Sequence, residues 1–192
     1  MVCTANIARS PLLAELLRHA AGLRPQGRSI SIASAGVDAR IGDPAATGSQ
    51  AVAKLLGLSL AQHRSQPLHL VDLDATKLIL TMTRRQRRIV TSTSRTDSTR
   101  VFAVREFHQA LDRMLLAPSS PALSAATDGA HDRLHRLVHL ADSQRRSPRL
   151  RWYQDVPDPM GHDHRTYEQL AEEFHALSAK FALLLFGPAT TA

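Results

Sequence analysis

Cys3 and Arg9 stand with five residues between them, and Ser10-Pro11 follows at once. In the segment Cys3-Thr4-Ala5-Asn6-Ile7-Ala8-Arg9-Ser10 these residue types complement one another. A helix start supplies N–H groups without intrahelical partners and a positive potential. Both bind a dianion and favour a thiolate. The planar fork of an arginine matches two phosphate oxygens. Ser10 is placed either to donate its hydroxyl to the sulfur or to cap the helix. Such a thiolate would attack phosphorus while backbone amides hold the equatorial oxygens. Cysteine and arginine at this spacing are common by chance. The Ser10-Pro11 pair and the apolar pattern behind it make the segment informative.

The elements that must position this segment follow from periodicity. Ser10 suits an N-cap and Pro11 the first helical position, and LLAELLRHAAGL repeats its apolar residues at helical spacing up to Gly22. Ser29–Ala35 alternates as a strand does. Ala45–Leu56 is predicted helical, closed by Gly57. Lys77–Met82 is a short buried-strand run, Thr83 can cap the basic helix behind it, and Arg100–Val104 is another strand. His131–Arg146 and about Thr166–Phe186 are predicted helices, and Pro118–Gly129 is a loop rich in small residues. Strands alternating with helices predict an α/β fold with a parallel sheet. Only Met1 and Val2 precede Cys3, so the first strand is expected to be a stub. About five further apolar residues upstream are expected to steady both fold and loop, because unpaired buried backbone groups are costly.

The loop motif resembles the phosphate-binding loop of the low-molecular-weight protein tyrosine phosphatases, V-C-x-G-N-x-C-R-S-P, at Val2, Cys3, Asn6, Arg9, Ser10 and Pro11. Ser34-Ala35-Gly36, Gly42-Asp43-Pro44-Ala45, Gly57 with His63-Arg64, and Leu78-Ile79-Leu80-Thr81-Met82 resemble later family segments in the same order. Asp155-Val-Pro-Asp158-Pro159 resembles the family's acid loop. The resemblance covers the chain apart from about residues 109–151, which are longer than the family core. It implies one α/β domain over residues 1–192, three-layered, with a short four-stranded parallel sheet and helices on both faces.

The same resemblance implies roles. Cys3 is the nucleophile that forms a phosphocysteine, and Arg9 is the phosphate clamp. Thr4, Ala5, Ile7 and Ala8 contribute backbone to the cradle, Asn6 pins its shape, Ser10 steadies the thiolate, and His63 hydrogen-bonds behind the loop. Asp158 is the general acid, with Asp155 a weaker candidate. A phosphate ester's leaving oxygen needs a proton, which a carboxyl on a proline-stiffened loop can deliver. Ala5 departs from the family's glycine, and a position needing positive φ would charge alanine about 1–2 kcal/mol. Ala8 replaces the second loop cysteine, so the protective disulfide is not expected. Met160-Gly161 stands where aromatics commonly follow, and Val37–Ile41 supplies no aromatic wall.

Composition narrows the classes. The chain has 192 residues and a formal charge of +7, a length that buries a core without disulfide or metal staples. A single cysteine excludes an internal disulfide and a four-cysteine zinc site. No apolar run approaches a membrane span, and the N-terminus lacks a signal-peptide pattern. A soluble cytoplasmic protein is expected, with no membrane partner. His162, Asp163 and His164 lack a third ligand at metal-site spacing, so neither metal nor cofactor is expected. His131, His135 and His139 read as a polar helix face.

Arginines cluster at Arg84, Arg85, Arg87 and Arg88, and at Arg145, Arg146, Arg149 and Arg151. Aromatics for base stacking are scarce, so nucleic acid is not the expected partner, and a solvated helix face accounts for such clusters. The positive charge equally suits a phosphorylated protein or a small aryl phosphate. Two further readings stand beside phosphomonoester hydrolysis. One is arsenate reduction resolved by an external thiol. The other is a catalytically weak module that binds oxyanions or phosphoproteins.

Overall fold

In the computed structural model, residues 1–93, 96–116, 129–145 and 155–188 are described. The predicted loop at Pro118–Gly129 and the second arginine cluster beyond Arg145 lie almost wholly outside them. The four strands β1 (Val2–Cys3), β2 (Ala35–Gly36), β3 (Ile79–Thr81) and β4 (Val101–Ala103) form one parallel sheet in the order β2-β1-β3-β4. β1 is interior, with Val2 opposite Ala35 on one side and Thr81 on the other. Side chains alternate across the sheet as the two-residue period demands. Val2, Ile79 and Val101 join one apolar cluster, whereas Cys3, Leu80 and Phe102 join the other.

The larger cluster is built by helices α1 (Arg9–Gly22), α2 (Thr47–Leu55), α4 (Val104–Leu116), α5 (Ala130–Gln144) and α6 (His164–Phe186). Leu12, Leu13, Leu16 and Leu17 are buried because their spacing returns them to one stripe, and α1 packs most extensively on α6. Helix α3 (Arg84–Thr93) covers the opposite face of the sheet through Val90. Helices therefore lie on both faces, and the carboxyl ends of all four strands share one edge, where such sheets place their ligands. Among the described residues no helix is long and apolar enough to cross a membrane.

Two expectations about elements need correction. The predicted strand Ser29–Ala35 is laddered only at Ala35–Gly36: Pro25–Ser29 forms a 3-10 turn, and β1 offers rungs only at Val2 and Cys3. Ser10 is not the cap of α1. The helix begins at Arg9 with Ala8 before it and no side-chain cap, because the Ser10 hydroxyl is engaged at the sulfur of Cys3. An uncapped helix start leaves its N–H donors for something else.

Candidate active site

The loop between β1 and α1 is shaped by its carbonyls. Those of Cys3, Thr4, Ile7 and Ala8 accept from Val37 N, Asp38 N, Ala46 N and Ser49 Oγ at 3.0, 3.0, 2.8 and 3.2 Å. That of Asn6 accepts from His63 Nε2 at 2.7 Å. In a trans peptide the C=O of one residue and the N–H of the next point in opposite directions. Carbonyls tied outward therefore turn the N–H groups of Thr4, Ala5, Ile7, Ala8 and Arg9 inward. The N–H of Asn6 donates to Cys3 Sγ at 3.2 Å, which closes the ring. The result is a cup of amide donors over a buried sulfur at the start of an uncapped helix. Gly36 permits it, since a Cβ there would lie 2.3 Å from the Thr4 oxygen.

Asn6 holds the cup together. It has φ 57°, a left-handed conformation that asparagine tolerates, and among the described residues it is the only one besides glycines with positive φ. Its Nδ2 donates to Ser10 Oγ and Ser34 Oγ, each at 2.9 Å, and its Oδ1 accepts from Gln66 N at 2.9 Å. Ser10 Oγ, already accepting from Asn6, lies 3.0 Å from Cys3 Sγ and can direct its hydrogen there. The expected strain at Ala5 is absent, because the left-handed position is one residue later. His63 is held below its ordinary value, chiefly by burial and further by the charges of Arg18 and Arg64, against the opposing hydrogen bond to Asn6. The ring donates through Nε2, because a carbonyl can only accept.

Arg9 and Asp158 meet at the mouth. Arg9 is buried; its Nη2 lies 2.6 Å from Asp158 Oδ2, and its Nη1 donates to Val156 O at 3.1 Å. Its Nε is buried without a partner, an orphan donor in a site already rich in donors. The Asp158 side chain is 50% exposed. Asp155 is used elsewhere: its Oδ1 accepts from Arg84 N at 2.9 Å and pairs with Arg84 Nε, so it caps α3. Similarly, Asp163 caps α6 by accepting from Thr166 N, which accounts for the polar cluster at His162–His164 structurally.

Sequence reasoning missed Gln86 and Tyr167. Gln86 Oε1 accepts from Met82 N and Thr83 N, its backbone N–H donates to Thr83 Oγ1, and its Nε2 reaches Thr4 Oγ1 at 3.1 Å. Thr83-x-x-Gln86 is a capping box, and that spacing was the available signal. Tyr167 donates to Met160 Sδ at 3.6 Å and lies flat against Gly48, where a Cβ would come 2.6 Å from the ring. Burial, and then the charge of Asp158, push its hydroxyl above the ordinary value.

A model of the family described as low molecular weight phosphotyrosine protein phosphatase matches residues 1–137. The chain belongs to that family. Members of the family are cysteine-based phosphatases. The probable low molecular weight protein-tyrosine-phosphatase EpsP of Ralstonia solanacearum is 32% identical over 109 residues, 57% of this chain and 71% of that one. In fold, the chain is similar to the low molecular weight protein tyrosine phosphatase of T. tengcongensis, with 24% identity and a TM-score of 0.65. That match covers 94% of this chain and 93% of the other. It is also similar to the tyrosine phosphatase Wzb of Escherichia coli K30, solved with sulphate, at 20% identity and a TM-score of 0.62, covering 94% and 92%.

Proposed function

We propose that this phosphatase hydrolyses phosphotyrosine or small aryl phosphates through a phosphocysteine on Cys3. The observation that carries the reading is the cup of inward amides around Cys3 Sγ, with Arg9 and Asp158 converging at its mouth. A phosphate dianion takes the amide donors and the Arg9 fork, displacing Asp158 from Arg9 toward the leaving oxygen, where the carboxylate, now beside the dianion, takes up a proton from solvent. The Cys3 thiolate attacks phosphorus; the S–P bond forms as the P–O bond to the aryl group breaks, and Asp158 gives its proton to the departing oxygen. Water then attacks the phosphocysteine, giving its proton to Asp158, and the S–P bond breaks. The Ser10 hydroxyl and the Asn6 amide receive the returning thiolate.

The family name supports phosphotyrosine, and a phosphorylated protein is the proposed partner. The cytoplasm is the proposed location, since a thiolate enzyme with a single cysteine suits a reducing compartment. Hydrolysis of p-nitrophenyl phosphate is the test. Turnover that inorganic phosphate inhibits competitively and that Cys3→Ser reduces to background is expected. Turnover surviving Cys3→Ser would overturn the reading.

A further inference from the structure

The arginines of α3 stand where a helix pays for them. Arg84, Arg85, Arg87 and Arg88 fill its first turns, with no acidic residue in the first turn. Cations at a helix N-terminus oppose the macrodipole, and like charges three and four residues apart repel. The buried positions Gln86 and Val90 turn one face inward, and Arg87 is spent on the Val101 carbonyl at 3.0 Å. The side chains of Arg85 and Arg88 are exposed and meet no hydrogen-bond or ion-pair partner among the described residues.

This turn borders the site on two sides. Gln86 touches Thr4 of the cup, and the N–H of Arg84 is held by Asp155 of the acid loop. Another exposed cation, Arg40, sits on the loop whose Asp38 N–H is bonded to the Thr4 carbonyl; the Asp38 carboxylate is the one acidic group exposed beside it on that loop segment 37–41. A polypeptide with its phosphorylated residue over Cys3 can lay neighbouring residues across these two borders.

We infer that the first turn of α3, with Arg40, is a docking strip for acidic residues flanking the phosphorylated residue of a protein substrate. The inference rests on the phosphatase reading and narrows its substrate class. An acidic peptide is favoured over nucleic acid because the start of α3 touches the cup through Gln86 and carries no aromatic side chain for base stacking.

The test compares two phosphotyrosine peptides of equal length, one flanked by glutamates and one by glutamines. At about 0.02 M salt the acidic peptide should show roughly 10-fold higher kcat/KM, chiefly through KM, shrinking below about 2-fold at about 0.5 M salt. The double variant Arg85→Gln, Arg88→Gln should lose most of that preference while p-nitrophenyl phosphate turnover stays unchanged. Equal kcat/KM for the two peptides, or a preference that survives the double variant, would overturn the inference. So would random duplex DNA displacing the acidic peptide with a steep salt dependence, which would assign the strip to nucleic acid. If the chain turns over no aryl phosphate, the catalytic reading fails by itself. Titration of the Cys3→Ser chain with both peptides then decides the docking strip separately.

Discussion

The cup at Cys3–Ser10 and the acid loop at Asp155–Gly161 meet at Arg9, yet they are held in opposite ways. In the cup the carbonyls of Cys3, Thr4, Asn6, Ile7 and Ala8 are all anchored, and Asn6 is buried with every polar atom engaged. In the acid loop, Val156 N–H is tied to Met82 O at 2.9 Å, but Asp158 projects half-exposed, held by Arg9 and a 3.3 Å contact from Met160 N. The difference fits two tasks. Oxyanion stabilisation is strongest when donors need no reorganisation at the moment of reaction. A proton donor must instead leave its resting partner and reach the leaving oxygen, so loose tethering serves it.

The largest effect that separates the two loops concerns the carboxylates. Asp158→Asn should slow hydrolysis of an ester with a poor leaving group by roughly 100- to 10,000-fold, and that of p-nitrophenyl phosphate by less. Asp155→Asn should leave turnover nearly intact, and Asp155→Ala should cost about 1 kcal/mol of stability, read by urea unfolding, because it removes the acceptor that the Arg84 N–H uses at the start of α3. The reverse pattern would exchange their roles.

A smaller effect tests the rigidity of the cup. Asn6→Ala removes three side-chain hydrogen bonds and puts a Cβ without compensation at φ 57°. Losing about 2 kcal/mol of preorganisation corresponds to roughly 30-fold in kcat. Asn6→Gly relieves the backbone but not the bonds, so it should recover only part of that loss. Full recovery in the glycine variant would make backbone conformation, not the pin, the property that matters.

The smallest effect is a pH dependence of the cup's support. The folded-state value of His63 lies below 6.5, because burial disfavours the cation. The unfolded chain then binds the proton more readily, so the contribution of His63 is intact above 6.5 and is lost as pH falls through the lowered folded value. His108, half-buried and 2.9 Å from Lys180 Nζ, acts in the same direction. The urea midpoint should therefore fall less steeply below pH 6.5 in His63→Gln than in the unaltered chain. Identical slopes would contradict the half-buried neutral ring.

Much of the cup was legible because its parts are contiguous. Cys3, Asn6, Arg9 and Ser10 lie on one short segment from the end of β1 to the start of α1, and that helix declares itself by leucine spacing. The opposing partners were harder, since each depends on tertiary approach. Gln66, Ser34 and Gln86 look like ordinary polar residues until the sheet brings them to the loop. Strand ends were misjudged for a related reason. Ser29–Ala35 has the alternation of a strand, but a ladder also needs a partner, and alternation says nothing of where the neighbour's rungs stop. Of the two roles open to Ser10, the contact with sulfur is formed and the cap is not, because one hydroxyl cannot serve both and spacing alone does not choose between them. Asp158 and Asp155 lie on the same short loop; what separates them is the position of the α3 N-terminus, a fact of the fold.

On the proposed mechanism the fixed cup delivers phosphate to Cys3 while the loose acid loop delivers a proton. The most direct measurement is rapid quenching of the reaction with a radiolabelled aryl phosphate, followed by peptide mapping. One phosphate per chain, bonded to the peptide that begins Met1-Val2-Cys3 and absent from Cys3→Ser, is the result expected. Turnover with no label on Cys3, or with label on another residue, would contradict it.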